Sequence, residues 1–136
     1  MIMKNRDIII LAGGKQERFE GVVPKCLFEI DGEKITLILW DIEGNTSISK
    51  ARASYLAGSH GFLYVFDVTR PETFENLTEE MNFLKENYNK IPVSIVGNKS
   101  DLITSDHIEE FFKQDGFKDC SFTSAKEGKN VENVFL

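Results

Sequence analysis

The stretch VSIVGNKSDL, residues 93–102, decides the fold class of this chain. Its first residues are mostly apolar and β-branched, which predicts a buried parallel strand that ends at Gly97. Four polar residues follow at once, Asn98-Lys99-Ser100-Asp101. Because open α/β sheets bind their ligands at the carboxyl ends of the strands, we expect these side chains to contact a ligand.

The order N-K-x-D directly after a strand resembles the guanine-specificity loop of small GTPases of the Ras and Rab type. A carboxylate can accept two hydrogen bonds, from the ring N–H and the exocyclic amine of guanine, and adenine cannot supply that pair. By this resemblance Asp101 would read the base and Lys99 would lay its stem along the base face. Asn98 would tie the loop to its neighbours.

The composition predicts one globular domain over residues 1–136. Hydrophobic residues make up 41% and charged residues 28%, as in ordinary soluble proteins. The net charge of −6 argues against a nucleic acid or an anionic membrane as the main partner. We find no apolar run of membrane-spanning length, no signal peptide and no C-terminal cysteine motif for a lipid anchor. Cys26 and Cys120 lack metal or disulfide spacing, which favours reduced thiols and a cytoplasmic location.

Apolar runs and turn residues predict strands that alternate with helices, and therefore a doubly wound, mostly parallel α/β sheet. The pair Asp31-Gly32 predicts a hairpin between the second and third strands. Residues 69–72, Thr-Arg-Pro-Glu, read as a capping box with proline in the first turn of a helix. The predicted strands span residues 7–12, 26–31, 35–40, 61–68, 93–97 and 118–123. The predicted helices span residues 47–57, about 70–88, 105–115 and 130–136.

Two of these helices have a recognisable apolar face. The stripe of the earlier one consists of Phe74, Leu77, Met81, Leu84 and Tyr88. The later helix is expected to begin with Ser105 as its cap and to stop at Gly116. Its predicted inward residues are Ile108, Phe111 and Phe112.

From residue 28 to residue 135 the order of motifs resembles the Ras-like G domain, a fold of the P-loop NTPase type. Asp41 and Gly44, at the end of the third strand, match its D-x-x-G signature. By that resemblance Asp41 would hold Mg²⁺ through a water molecule, and the Gly44 N–H would meet the terminal phosphate of GTP. The structural alternative for Asp41 is an ordinary turn residue at the end of a strand.

A third loop of the same family is matched by Ser124, Ala125 and Lys126, which resemble its S-A-K motif. There the Ala125 N–H would donate to the guanine oxygen. The structural alternatives are a helix cap for Ser124 and an Asx turn for Asn98. The resemblance implies GTP and GDP as ligands, and a protein regulator or effector as partner.

The N-terminal quarter departs from the family's pattern. A phosphate-binding loop requires G-x-x-x-x-G-K-[ST], in which backbone N–H groups wrap a phosphate and a hydroxyl reaches Mg²⁺. Gly13, Gly14 and Lys15 are the candidate phosphate-binding residues, but Gln16 stands where the hydroxyl is needed. The interval 16–25 leaves little room for the first helix and holds no threonine to sense the γ-phosphate. We therefore expect a weak phosphate and Mg²⁺ site and slow or absent GTP hydrolysis.

Residues 8–32 also resemble the opening of the nucleotidyltransferases that activate sugars or cofactors, with the signature L-A-G-G-x-x-x-R-[FM] followed by P-K-x-L. In that family the two glycines would let the backbone approach a nucleoside triphosphate, and Arg18 and Lys25 would neutralise its phosphates. Asp67 is a candidate metal carboxylate for this chemistry, but it is equally expected in a Ras-like fourth strand. A nucleotidyltransferase is therefore an alternative function.

The chain reads as a truncated G domain that lacks a standard first helix and most of the last helix. Both helices lie on the same face of the sheet in the family, so part of that apolar face is expected to be exposed. An exposed face of this kind predicts self-association or a covering partner. It also keeps open a different function, that of an interaction module related to GTPases that binds no nucleotide.

Overall fold

A computed structural model of the chain describes residues 4–12, 26–30, 33–42 and 56–135, the first three segments as backbone only. Its strands are β1 (Lys4–Ala12), β2 (Cys26–Ile30), β3 (Glu33–Ile42), β4 (Gly61–Asp67), β5 (Val93–Asn98) and β6 (Ser121–Phe122). Its helices are α1 (Leu77–Asn87), α2 (Ser105–Lys113) and α3 (Val131–Phe135), with short 3-10 turns at Pro71–Thr73 and Ser100–Leu102. Residues 56–57 of the predicted helix 47–57 are helical, and the rest of it lies outside the described residues.

The strands form a six-stranded sheet in the order β2-β3-β1-β4-β5-β6. β1 lies parallel to both β3 and β4, while β5 lies parallel to β4 and β6. Among these described strands, the β2–β3 pair alone is antiparallel, with Ile30 opposite Glu33. These strand directions confirm the predicted hairpin and the predicted mostly parallel α/β sheet. The two kinds of pairing need different connections: a parallel pair needs a long crossover, and an antiparallel pair needs only a tight turn.

The core is built on one face of β4, where every second side chain points to the helices. Phe62, Tyr64 and Phe66 are buried there against Leu77 and Leu84 of α1. The predicted stripe of α1 is therefore confirmed, since its remaining members also pack on this cluster. Packed aromatic rings add directional contacts that apolar burial alone does not provide.

Aromatic rings from separate parts of the chain meet around Phe66. The Phe66 ring centroid lies 5.1 Å from that of Phe74 and 5.6 Å from that of Phe117, both in edge-on geometry. Phe111 of α2 joins them at 5.5 Å from Phe74. Phe112 was predicted to point inward but is 41% exposed, and its ring makes an edge contact with that of Phe122. Neighbouring residues of a helix lie about 100° apart, so Phe111 takes the core position.

Gly97 lies inside β5 and does not end it, contrary to the sequence prediction. A Cβ atom at this position would lie 2.9 Å from each of three core side chains, those of Phe66, Val68 and Phe122. Glycine therefore stands here because the helix-facing side of β5 has no room for a side chain. The strand continues through it to Asn98, still paired with β4.

The capping box predicted at residues 69–72 does not form. Thr69 donates its hydroxyl to the Asp67 carboxylate at 2.6 Å instead, and α1 begins only at Leu77. The intervening 3-10 turn is held by Thr73, whose hydroxyl donates to the Arg70 carbonyl at 2.7 Å. The prediction failed because hydroxyls in such a segment have other local acceptors to choose from.

Two further boundaries differ from the sequence prediction. Thr104, rather than Ser105, caps α2, with its hydroxyl oxygen accepting from the His107 N–H at 3.4 Å. The last strand is shorter than residues 118–123, because the Cys120 N–H donates to the Phe117 carbonyl at 3.1 Å and closes a turn before the strand starts. Helix and strand ends depend on such local choices.

The second face of β4 and β5, away from the aromatic cluster, is exposed only in part. Leu63 and Val96 are 7% and 4% exposed, whereas Val65 is half-buried and Ser94 is exposed. The predicted self-association through this face stays a prediction. Within the parts of the chain that the structure describes, no helix is long and apolar enough to cross a membrane.

Cys120 is a buried free thiol. Burial, together with the nearby Asp119 charge, raises its pKa to about 12. Since the thiolate is the reactive form, we expect Cys120 in a Cys26→Ser variant to react with a thiol reagent at pH 8 only after denaturant is added. Rapid complete labelling in native buffer, measured by mass spectrometry, would contradict this expectation.

Candidate functional site at the carboxyl ends of the strands

The predicted site residues follow strands that end at one edge of the sheet. β1, β3, β4, β5 and β6 run parallel, so their carboxyl ends lie side by side. Asp41, the predicted Mg²⁺ ligand, is the second-last residue of β3 and pairs in register with Ile10 of β1. Gly13, Gly14, Lys15 and Gly44, the predicted phosphate-binding residues, lie outside the described residues.

The loops after β5 and β6 are joined by their backbones. The Thr123 N–H donates to the Gly97 carbonyl at 2.9 Å, and the Ser100 N–H donates to the Thr123 carbonyl at 3.0 Å. These bonds continue the β5–β6 pairing past the end of the short strand β6. The two loops whose motifs the sequence singled out therefore form one structural unit.

Asn98 connects this unit through its side chain, as predicted. Its Oδ1 accepts the Thr123 hydroxyl at 3.1 Å and the Ala125 N–H at 3.0 Å. The Ala125 amide, which the resemblance assigned to the guanine oxygen, is thus already bonded to Asn98 in this structure. The predicted role of Ala125 stays a prediction, and it requires that this N–H be shared with a ligand.

Asp101 is held by Ser124 across the two loops. The Ser124 hydroxyl donates to Asp101 Oδ1 at 2.6 Å, and Ser124 itself is fully buried. The same Ser124 oxygen accepts the Glu127 N–H at 3.2 Å, which fixes the hydroxyl. The hydrogen bond from Ser124, helped by the charges of Lys126 and Lys99, lowers the pKa of Asp101 below its usual range. Asp101 is therefore an ionised carboxylate, and the buried Ser124 hydroxyl sets its orientation.

Lys99 has an unusual backbone and an ion-paired side chain. Its φ of 68° lies in the left-handed region, which few residues other than glycine adopt. Its Nζ lies 2.6 Å from Oδ2 of Asp67, the last residue of β4. Sequence reasoning had named Asp67 only as a candidate metal carboxylate. A carboxylate at the end of one strand, next to the strand that ends in N-K-x-D, is the signal that could have found this pair.

Lys126 completes the set of predicted nucleotide-binding residues. Its residue is exposed, and its charge contributes to the lowered pKa of Asp101. The structure thus brings Asn98, Lys99, Asp101, Ser124, Ala125 and Lys126 together in one pair of joined loops. Among residues 56–135, no cluster of three or more metal-ligating side chains is present.

The chemistry of this arrangement suits a planar ligand that offers two adjacent N–H donors. An ionised carboxylate has about four acceptor positions, and Ser124 takes one of those on Asp101. The remaining positions of Asp101 can accept a pair of donors such as guanine presents. The donors of a guanine base are therefore compatible with the acceptor positions of Asp101.

Comparisons with known proteins agree with this geometry. A model of the Ras family matches residues 18–136. The chain is also 38% identical over 117 residues to the Ras-related protein Rab-1A of Dictyostelium discoideum, a match that covers 79% of this chain and 56% of the relative. The chain thus spans about half the length of the curated relative it matches. Neither comparison supports the nucleotidyltransferase resemblance, and residues 18–32 of that stretch fall within the Ras match. The chain belongs to the Ras family.

Proposed function

We propose that this chain binds GDP and GTP in the manner of a small GTPase, chiefly by reading the guanine base. The observation that carries the proposal is the 2.6 Å hydrogen bond from buried Ser124 to Asp101. It fixes an ionised carboxylate at the sheet edge where α/β proteins bind ligands. Asp101 accepts the ring N–H and exocyclic amine of guanine, and adenine does not offer these two donors.

The other loop residues complete the base site in this proposal. Lys99 lays its stem along the base, Asn98 holds the loops together, and the Ala125 N–H is shared between Asn98 and the guanine oxygen. Lys126 and Ser124 keep Asp101 ionised and oriented. These roles use the contacts that the two loops make with each other.

Phosphate binding is the weaker part of the proposed site. The sequence supplies Gly13, Gly14 and Lys15 but no P-loop hydroxyl, because Gln16 stands at that position. Gly44 would meet the terminal phosphate, and Asp41 is the residue that would hold Mg²⁺ through water. With few donors for the phosphates, GTP hydrolysis is slow or absent. A cytoplasmic switch of this kind would act through a protein regulator or effector.

A titration with a fluorescent guanine nucleotide tests the proposal. We expect saturable binding that is displaced by GDP and GTP and not by ATP or CTP. Because the base supplies most of the affinity, guanosine should compete within about tenfold of GTP, and Mg²⁺ should change the affinity less than about threefold.

Three other results would change the interpretation. Equal displacement by all four nucleotides, or no binding and no rise of the melting temperature with excess GDP, would leave the nucleotide-free interaction module as the function. A large preference for GTP over guanosine, lost when Mg²⁺ is removed, would show that the phosphate site is intact.

A further inference from the structure

We propose that Asp67 is a positioning residue of the nucleotide site, which holds the Lys99 ammonium so that the Lys99 stem is already placed when a guanine base arrives. The inference rests on the proposed function and goes beyond the motif residues, because Asp67 lies on a different strand from N-K-x-D. By this inference the end of β4 contributes to a site that the sequence predicts only at the ends of β5 and β6.

The backbone brings Asp67 next to the base-reading loop. Asp67 of β4 is the register partner of Asn98 of β5. One residue later, the Val68 N–H donates to the Asn98 carbonyl at 3.1 Å. Lys99 follows Asn98, so its side chain starts within reach of the strand end that carries Asp67.

Both oxygens of the Asp67 carboxylate are taken by named donors. Oδ1 accepts the Thr69 N–H at 2.9 Å and the Thr69 hydroxyl at 2.6 Å. Oδ2 lies 2.6 Å from the Lys99 Nζ. The main chain of Asp67 is fixed as well, because its N–H donates to the buried Thr73 hydroxyl at 3.0 Å. The carboxylate is therefore oriented by residues of its own segment, Thr69 and Thr73.

Burial makes the pair asymmetric. The Asp67 side chain is 10% exposed and the Lys99 side chain is 51% exposed. Burial alone would raise the pKa of Asp67, but the hydrogen bonds from Lys99 and Thr69 outweigh it and the pKa lies below its usual range. A nearly buried carboxylate needs its cation, so the anchored partner is Asp67 and the long, half-exposed Lys99 is the partner that becomes fixed.

The consequence for binding is twofold. Fixing a rotamer-rich lysine before the ligand arrives removes an ordering cost of binding. The ammonium is also neutralised by Asp67, so Lys99 offers its apolar stem to a ligand and not a free positive charge. This suits the flat face of a base better than a phosphate.

The test compares the affinity of a fluorescent guanine nucleotide for four variants of the full chain. Asp67→Asn keeps the shape of the side chain and removes its charge, and we expect an affinity about 5- to 10-fold lower than that of the original chain. Glu72→Gln removes a charge from an exposed ion pair with Arg70 in the following turn, and we expect no change. In a Lys99→Met background, which keeps the stem without the ammonium, Asp67→Asn should change the affinity less than about twofold.

The double variant separates positioning from a general structural role. An equal loss from Asp67→Asn with and without the Lys99 ammonium would overturn the inference, and so would an Asp67→Asn affinity equal to that of Glu72→Gln. If the original chain binds no guanine nucleotide, the proposed function fails, and this inference fails with it.

If circular dichroism shows that Asp67→Asn does not fold, Thr69→Val decides, because it removes only the 2.6 Å donor to Asp67. A loss of about threefold would then support the inference and an unchanged affinity would overturn it.

Discussion

Replacing Asp101 with asparagine is expected to lower the affinity for GDP about 100-fold and to create binding of the xanthine nucleotide XDP. The carboxylate of Asp101 can accept two donors from guanine, whereas an asparagine amide accepts at its oxygen and donates at its nitrogen. Xanthine matches the amide, because it keeps the ring N–H and carries a carbonyl oxygen where guanine carries its amine. The change therefore exchanges one base for another rather than simply removing binding.

The structure explains why the asparagine amide would take the required orientation. Ser124 donates its hydroxyl to Oδ1 of Asp101, and only the oxygen of an asparagine amide can accept it. The amide nitrogen is then left on the side where Asp101 presents Oδ2, in position to donate to the xanthine carbonyl. Loss of the Ser124 hydroxyl in a Ser124→Ala variant should weaken guanine binding as well, but by a smaller factor.

The measurement is a competition titration with GDP and XDP on the two proteins. Asp115→Asn is the matched control, because it removes the same charge from a fully exposed position, and it should bind GDP like the original chain. A variant that lost GDP and gained XDP would exclude misfolding as the cause. Unchanged GDP binding in Asp101→Asn would show that this carboxylate does not read the base.

The same residue makes a prediction about pH. In the proposed site, guanine binding requires ionised Asp101, and the Ser124 hydrogen bond lowers the pKa of Asp101 below the usual value of about 3.9. Proton uptake by Asp101 should therefore leave the affinity unchanged between pH 8 and about pH 5, and reduce it only as the pH falls through the lowered pKa. Affinity that declines already near pH 6 would point to another titrating group.

Gly97→Ala is expected to destabilise the fold by about 1–3 kcal/mol, a large share of a typical domain's stability. The added methyl would lie 2.9 Å from side-chain atoms of Phe66, Val68 and Phe122, so these residues must move apart. All three belong to the aromatic and aliphatic cluster that joins β4, β5 and β6 to the helices. A well-packed core accommodates such an addition only by strain.

Urea unfolding followed by circular dichroism measures this effect as a lower midpoint at an unchanged slope. Ser94→Ala is the matched control in the same strand, because Ser94 is exposed, and it should change the free energy of unfolding by less than about 0.5 kcal/mol. A Gly97→Ala protein as stable as the original would contradict the packing described around β5. The folded variant should also bind GDP more weakly, since the Gly97 carbonyl accepts from the Thr123 N–H beside the loop proposed to read the base.

Local patterns in the sequence were sufficient for the elements and for the order of the motifs. Apolar runs marked four of the five parallel strands, all but β6, and the pair at residues 31–32 marked the hairpin that the register of β2 and β3 confirms. The same patterns placed Asp101 beyond the end of β5 and Ser124 beyond the end of β6, while Asn98 proved to be the last residue of β5. Periodicity reports such features because it depends only on which side of an element is buried.

Element ends were predicted less well, for a physical reason. Thr69, Thr104 and Ser105 all carry hydroxyls, and the sequence does not say which acceptor or donor each one meets. Thr69 bonds Asp67 and Thr104 caps α2 because the surrounding turns place those partners nearest. Because such a hydroxyl has several possible partners nearby, the surrounding chain decides which hydrogen bond it makes.

The sequence by itself therefore determined the mostly parallel sheet, the edge at which the candidate site lies and the residues proposed to read a base. Tertiary structure alone decided how those residues are held. Ser124 reaches Asp101, and Ala125 reaches Asn98, across separations of 23 and 27 residues. Glycine is required at position 97 because the side chains of Phe66, Val68 and Phe122 leave no room for a Cβ atom. Lys99 is anchored by Asp67 on the adjacent strand. These contacts join residues far apart in sequence, and only the packing of β4, β5 and β6 side by side brings them within bonding distance.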